Sequence, residues 1–394
     1  MANPSQRLPV TVVTGFLGAG KTTLLRHLLL ESGQRLAVLV NEFGDVGIDG
    51  DLIAGCGFCP EEERSERLVE LTNGCLCCTV QEDFLPTMEQ LLQRADRLDG
   101  IVVETSGLAL PAPLVAAFGW PAIRPRVRVQ AVVTVVDGEA LAAGHVVGDP
   151  QAVEAQRRAD PSLDHLTALE ELFDDQLQAA DLVLVSRADC LAAEALSAVR
   201  QRIGAQVRPG TGVLPMERGR IDPALVLAVP PAPQRSAPAA EGAAAAGTAP
   251  GLRHDHPGHG DHGPGDSHEP AHSHEPPSGH GPEQEHDDHH DHSHADISSV
   301  VLRRQGHWER AELEGWLSQL IRQWPVLRLK GRLQQVGRSL PLQIQAVGPR
   351  LECWYERDGS APAGDSALEL VLLTPASAAE ALRRHLDTLP PPRS

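Results

Sequence analysis

The chain has 394 residues, a length at which a single hydrophobic core has stopped growing, so more than one domain is expected. Its 34 basic and 53 acidic residues leave a net charge of −19, which speaks against nucleic acid or an anionic membrane surface as the main partner. Five of the seven cysteines fall between Cys56 and Cys78, a distribution of reduced thiols and not of a secreted disulfide framework. With no leader-like start and no apolar run of about 18 residues, the expectation is a soluble, cytoplasmic protein.

Short β-branched runs over 10–13, 36–40, 101–103, 129–136 and 182–185 read as strands, apolar enough to be buried on both faces. Helical patterns over 21–31, 82–95 and 164–179 lie between them. Buried strands alternating with helices predict an α/β domain, over 1–228, with a mostly parallel sheet flanked by helices. Over 229–296 the composition shifts to Pro, Ala and Gly and then to His, Asp and Gly, with thirteen histidines between His254 and His294. Such a segment buries too little apolar surface to offset its ordering entropy, so a disordered linker that collects metal weakly is expected. Periodicity returns over 297–394, with strands over 299–303, 340–346, 350–355 and 368–373 and helices over 312–323 and 377–386. These predict a small α+β domain, with Trp308, Trp316, Trp324 and Trp354 in its core.

The first strand runs into Gly15-Phe16-Leu17-Gly18-Ala19-Gly20-Lys21-Thr22, which fills every position of the phosphate-binding pattern G-x-x-x-x-G-K-[S/T]. Backbone N–H groups of such a loop face phosphates, the lysine neutralises β/γ oxygens and the Thr22 hydroxyl coordinates Mg²⁺. Gly15, Gly18, Ala19, Gly20, Lys21, Thr22 and Thr23 are the candidates. Lysine occurs only at Lys21 and Lys330, which makes its presence here hard to ascribe to chance.

Glu104-Thr105-Ser106-Gly107 follows the strand over 101–103, and an acid at the carboxyl end of a parallel strand lies in the crevice where ligands bind. Glu104 is expected to hold Mg²⁺ or orient the attacking water, and Gly107 to contact the γ-phosphate through its backbone. Asp137 closes the next strand in the same manner and is a weaker candidate. Ser186-Arg187-Ala188-Asp189 occupies the place of a guanine-reading N-K-x-D. A carboxylate there accepts from the guanine ring N–H and exocyclic amine, a pair adenine lacks. Cys75-Leu76-Cys77-Cys78 offers three soft ligands within four residues, able to converge on one transition-metal ion with a fourth ligand from elsewhere. Cys56 and Cys59 form a nearby C-x-x-C.

These stretches, with Asn41-Glu42-Phe43-Gly44 and Asn73-Gly74 before the cysteine triplet, closely resemble the CobW family of P-loop GTPase metallochaperones. Within it, Cys56-Gly57-Phe58-Cys59-Pro60-Glu61-Glu62, Ile48-Asp49-Gly50 and Leu108-Ala109-Leu110-Pro111 look like the cobalamin-pathway branch. The resemblance implies a GTPase that uses GTP and Mg²⁺, with Lys21 and Glu104 catalytic and Ser186, Arg187 and Asp189 at the base. It implies Co²⁺ carried by Cys75, Cys77 and Cys78 and delivered to a cobaltochelatase, and Glu42 is the candidate for a further ligand. A zinc chaperone of the same family, a metal buffer with a vestigial loop and a small-molecule kinase are the alternatives. The expected client is the cobaltochelatase or another metalloenzyme, and a homodimer is left open.

Overall fold

The computed structural model describes residues 7–40, 68–70, 84–159, 168–227, 297–335, 338–356 and 367–389. The expected linker over 229–296 and its histidines lie outside them, as do Glu42, Cys56, Cys59, Cys75, Cys77 and Cys78.

The first sheet has seven described strands: β1 (Leu8–Thr14), β2 (Leu36–Val40), β3 (Leu68–Glu70), β4 (Gly100–Glu104), β5 (Val127–Asp137), β6 (Leu182–Ser186) and β7 (Gly212–Pro215). Their order is β3-β2-β4-β1-β5-β6-β7 and every pairing is parallel. Strands β4, β5 and β6 are buried along their whole length, as continuous apolar runs require. Helices α1 (Lys21–Glu31), α2 (Leu85–Leu92), α3 (Pro111–Ala117), α4 (Gly138–Ala142), α5 (Pro150–Ala159), α6 (Leu169–Ala179), α7 (Ala193–Gln206) and α8 (Pro223–Val226) connect them. Helix α2 ends at Leu92, short of the expected 95, and Pro86 stands in its first turn, where a missing N–H leaves no intrahelical bond unmade.

The second sheet is antiparallel: β8 (Ile297–Gln305), β9 (Arg328–Gln334), β10 (Leu342–Val347), β11 (Arg350–Tyr355) and β12 (Ala367–Pro375), in the order β11-β10-β9-β12-β8. One face packs on α9 (Arg310–Gln323) and α10 (Ala376–Leu386) around Leu329, Ile344, Leu370, Leu317 and Leu382. Trp308 is buried in that core, while Trp316 and Trp324 are half-buried, each against the His385 ring. Trp354 departs from the expectation. Strand alternation places Leu351, Cys353 and Tyr355 toward the core, so Trp354 faces away from it, beneath the guanidinium of Arg128 at 4.2 Å.

That second face meets the amino ends of β5 and β6. Arg128 lies 3.8 Å from Glu352, and buried Arg328 donates to the Leu225 carbonyl at 3.3 Å and to Gln130 Oε1 at 3.4 Å. Asp181, fully buried, accepts from Arg208 at 2.7 Å, from Arg350 and from the Val132 N–H at 2.8 Å. Burial, with repulsion from Arg328 and Arg128, pushes the Lys330 ammonium from 10.5 down to about 7. Between those values the unfolded chain holds a proton that the folded chain has released, so this group's contribution to stability rises with pH across that window. Lys330→Met should therefore be more stable than the wild type near pH 7, with the advantage vanishing toward pH 10. Urea midpoints at the two pH values check this, and a gain that does not shrink with pH contradicts it.

Candidate nucleotide site

The phosphate loop begins where β1 ends. Gly15 has φ 135° and lies so close to β5 that a Cβ would fall 2.1 Å from the Val135 carbonyl oxygen, so no other residue fits there. Gly20 caps α1 in the left-handed region and supplies no side chain to its first turn, leaving those N–H groups facing the loop. Lys21 is buried at 7 % exposure, with Nζ donating to the Phe16 carbonyl at 3.2 Å and lying 3.9 Å from Glu104 Oε1. The loop thus folds over its own lysine. Thr22 is half-buried and Thr23 exposed on the same helical turn.

Glu104 reaches this lysine because β4 pairs directly with β1, with Val13 opposite Glu104. Beyond it the chain turns back on the loop. The Thr105 N–H donates to the Val13 carbonyl at 2.9 Å, and a Cβ on Gly107 would lie 2.6 Å from the Leu17 nitrogen. Only glycine allows two backbones to approach so closely. The hydroxyls of Thr14, Thr105 and Ser106 are buried without a hydrogen-bond partner. Such groups at two adjacent strand ends, beside a buried lysine and carboxylate, fit a polyphosphate with its Mg²⁺ better than a closed apolar core.

The base-side candidates stand across the loop at the end of β6. Ser186 donates to the Val136 carbonyl at 3.1 Å and lies against Gly20. Arg187 adopts φ 52°, pairs with Asp137, lies 3.6 Å from Glu139 and donates to the Gly18 carbonyl at 3.3 Å. Its hydrogen bond to Asp137 raises the guanidinium pKa further. Asp137 also caps α4 through the Ala140 N–H at 3.2 Å, so its carboxylate has a local structural task. Asp189 is exposed, 3.5 Å from Arg218.

Arg218 belongs to a turn that sequence reasoning missed. The Met216 N–H donates to the Val185 carbonyl at 2.8 Å, and the Ala188 N–H donates to the Met216 carbonyl at 3.4 Å. Gly219 abuts Thr23. This turn joins the base side to the phosphate side. Its one sequence signal was Arg218-Gly219 just past a four-residue strand. Among the described residues no group of three or more His, Cys, Asp or Glu converges as a metal site, and no helix is long and apolar enough to cross a membrane.

A glycine-bent loop capping a helix at the carboxyl edge of a parallel sheet, with a buried lysine and acid beneath it, defines a P-loop nucleotide-binding protein. The description "CobW/HypB/UreG, nucleotide-binding domain" matches residues 9–215, and "Cobalamin synthesis protein cobW C-terminal domain" matches residues 297–389. The chain is 44% identical over 354 residues to the zinc chaperone CobW of Pseudomonas aeruginosa, covering 89% of this chain and 83% of that protein. It is 40% identical over 355 residues to the zinc chaperone CobW of a Sinorhizobium species, covering 89% and 88%. It is also 37% identical over 201 residues to the zinc-regulated GTPase metalloprotein activator 1 of Schizosaccharomyces pombe, covering 50% and 43%. The protein belongs to the CobW/HypB/UreG family of P-loop GTPases.

Lys21→Ala removes the cation buried under the loop. Mg·GTP affinity should fall by about 100-fold or more, the scale of losing a desolvated charge contact, while the far-ultraviolet circular dichroism stays that of the wild type. Near-normal affinity in a titration with fluorescent GTP would remove this loop from nucleotide binding.

Proposed function

We propose that the protein is a metallochaperone that hydrolyses GTP to GDP and phosphate and hands Zn(II) to a metalloenzyme client. The observation that carries this reading is the convergence of Lys21, Glu104, Gly107, Ser186 and Arg187 on one sheet edge. Strands β2 and β3 end on that same edge, with Val40 opposite both Glu104 and Glu70. Cys75 follows Glu70 by five residues in the sequence. The names of the relatives favour zinc. Three thiolates also prefer Zn(II) to Co(II) at equilibrium.

In this reading the loop N–H groups and Lys21 hold the β- and γ-phosphates, and Asp189 accepts from guanine. Thr22 and Glu104 hold Mg²⁺, which supplies further charge neutralisation on the phosphates. Glu104 also orients the attacking water. Cys75, Cys77, Cys78 and Glu42 carry the cargo ion, and the reduced thiols suit the cytoplasm. A second reading, delivery of Co(II) to a cobaltochelatase, is favoured by the cobalamin-branch stretches, of which Leu108-Ala109-Leu110-Pro111 runs directly on from Gly107.

Competition with a chromophoric chelator should show Zn(II) bound far more tightly with Mg·GTP than with Mg·GDP. A coupling of about 3 kcal/mol corresponds to ~150-fold, and zinc then tightens GTP by the same factor. Cys77→Ser should abolish this difference and leave nucleotide affinity intact. Equal zinc affinity in both nucleotide states sinks the chaperone reading in favour of a metal buffer. The cobalt reading takes its place if only Co(II), through its thiolate charge-transfer band, responds to GTP.

A further inference from the structure

Helix α6 turns one face toward both nucleotide loops, and two of its side chains reach them. Phe173 is buried, and its ring lies 6.2 Å and 15° from that of Phe16, the residue whose carbonyl receives Lys21. Gln176, three residues later on the same face, is fully buried. Its Nε2 donates to the Gly107 carbonyl at 3.1 Å and points to the Ala109 carbonyl at 3.5 Å. The helix is fixed in depth, since Thr134 Oγ1 on β5 donates to the Gln176 carbonyl at 3.1 Å.

Gly107 is therefore gripped from two sides. The Leu17 nitrogen of the phosphate loop presses on one side, and the Gln176 amide holds its carbonyl on the other. The amide is not there merely to fill space. Its Oε1 is buried without a hydrogen-bond partner, an omission costing roughly 1–3 kcal/mol that an apolar side chain of the same size would avoid. What an apolar side chain lacks is the donor end, and that end goes to the segment following Glu104. Gln176 lines the same narrow cleft as Phe16, Leu17, Asp137 and Phe173, so the support lies directly behind the loop.

We infer that Gln176 is a positioning residue for GTP hydrolysis: by holding the Gly107 carbonyl it fixes the backbone that contacts the γ-phosphate. This rests on the GTPase reading proposed above. A nucleoside diphosphate lacks the phosphate in question, so the clamp acts on the triphosphate alone. That separates positioning from support of the fold.

The test compares Gln176→Met, which keeps the length and loses the donor, with Gln176→Glu, which can donate only while protonated. Gln176→Met should lower kcat for Mg·GTP about ten- to a hundred-fold, the scale of a misplaced contact. Its GDP affinity should stay within about two-fold of wild type, as a contact to the γ-phosphate requires. Gln176→Glu should regain activity as pH falls, because burial against two carbonyls favours the neutral carboxyl, and Gln176→Met should show no such recovery. Wild-type turnover in both variants overturns the inference. So does an equal loss of GDP affinity and kcat with no pH response, which marks a purely structural role. A wild type that does not hydrolyse GTP refutes the GTPase reading itself, and the inference falls with it.

Discussion

The pairing of β1 with β4 in a single register is the constraint on which the site depends. Because Val13 stands opposite Glu104, the chain leaving β1 as the phosphate loop and the chain leaving β4 emerge side by side. A shift of one residue would turn Glu104 to the other face of the sheet, away from Lys21. The register is held by apolar contacts on both faces: Val13 and Val102 pack in one core cluster, Val10, Val12, Ile101 and Val103 in another. The buried charges at its end cannot hold it, since an ion pair taken out of water roughly breaks even. Apolar packing sets the register, and the register places the charges.

Close backbone approach is the second requirement. Gly15 rests on β5 and Gly107 rests on Leu17, each at a distance that any Cβ would forbid. The P-loop is thus a wedge of backbone between β4 and β5, locked from the far side by Arg187, which bridges Asp137 and the Gly18 carbonyl. The phosphate-facing N–H groups owe their orientation to this packing more than to any side chain. Gln176 extends the same logic one layer outward.

Much of this was legible in the sequence and some was not, for physical reasons. The loop and the segment Glu104–Gly107 could be located in the sequence because each directly follows an apolar strand pattern, β1 for the loop and β4 for the segment. The four-residue β7 escaped because Gly212 and Pro215 occupy its ends. Strand β9 escaped because Gly331, over which Leu370 packs, interrupts its apolar side, and because Arg328, Lys330 and Arg332 on the other side are charged although that side is covered. Gln176, Arg218 and the Arg187–Asp137 pair depend on contacts between residues distant in sequence, which periodicity does not reveal. Trp354 was misplaced because an aromatic in a strand signals burial, not the face on which it is buried.

The strand order also limits how nucleotide and cargo metal can influence one another. Strand β4 lies between β1, which feeds the phosphate loop, and β2, which runs parallel to β3 toward the segments that carry Glu42 and Cys75. The second sheet meets β5 and β6 at their amino ends, away from the loops, and touches this machinery through a chain of polar contacts. Arg328 holds Gln130, Gln130 holds Thr11, and Thr11 lies on β1 four residues before Gly15. Under the proposed function the short path for coupling therefore crosses a single strand. A γ-phosphate held at Gly107 would act on the end of β4, and Val40 at the end of β2 is the direct neighbour of Glu104 there. Coupling through one shared strand end needs no motion of the second sheet.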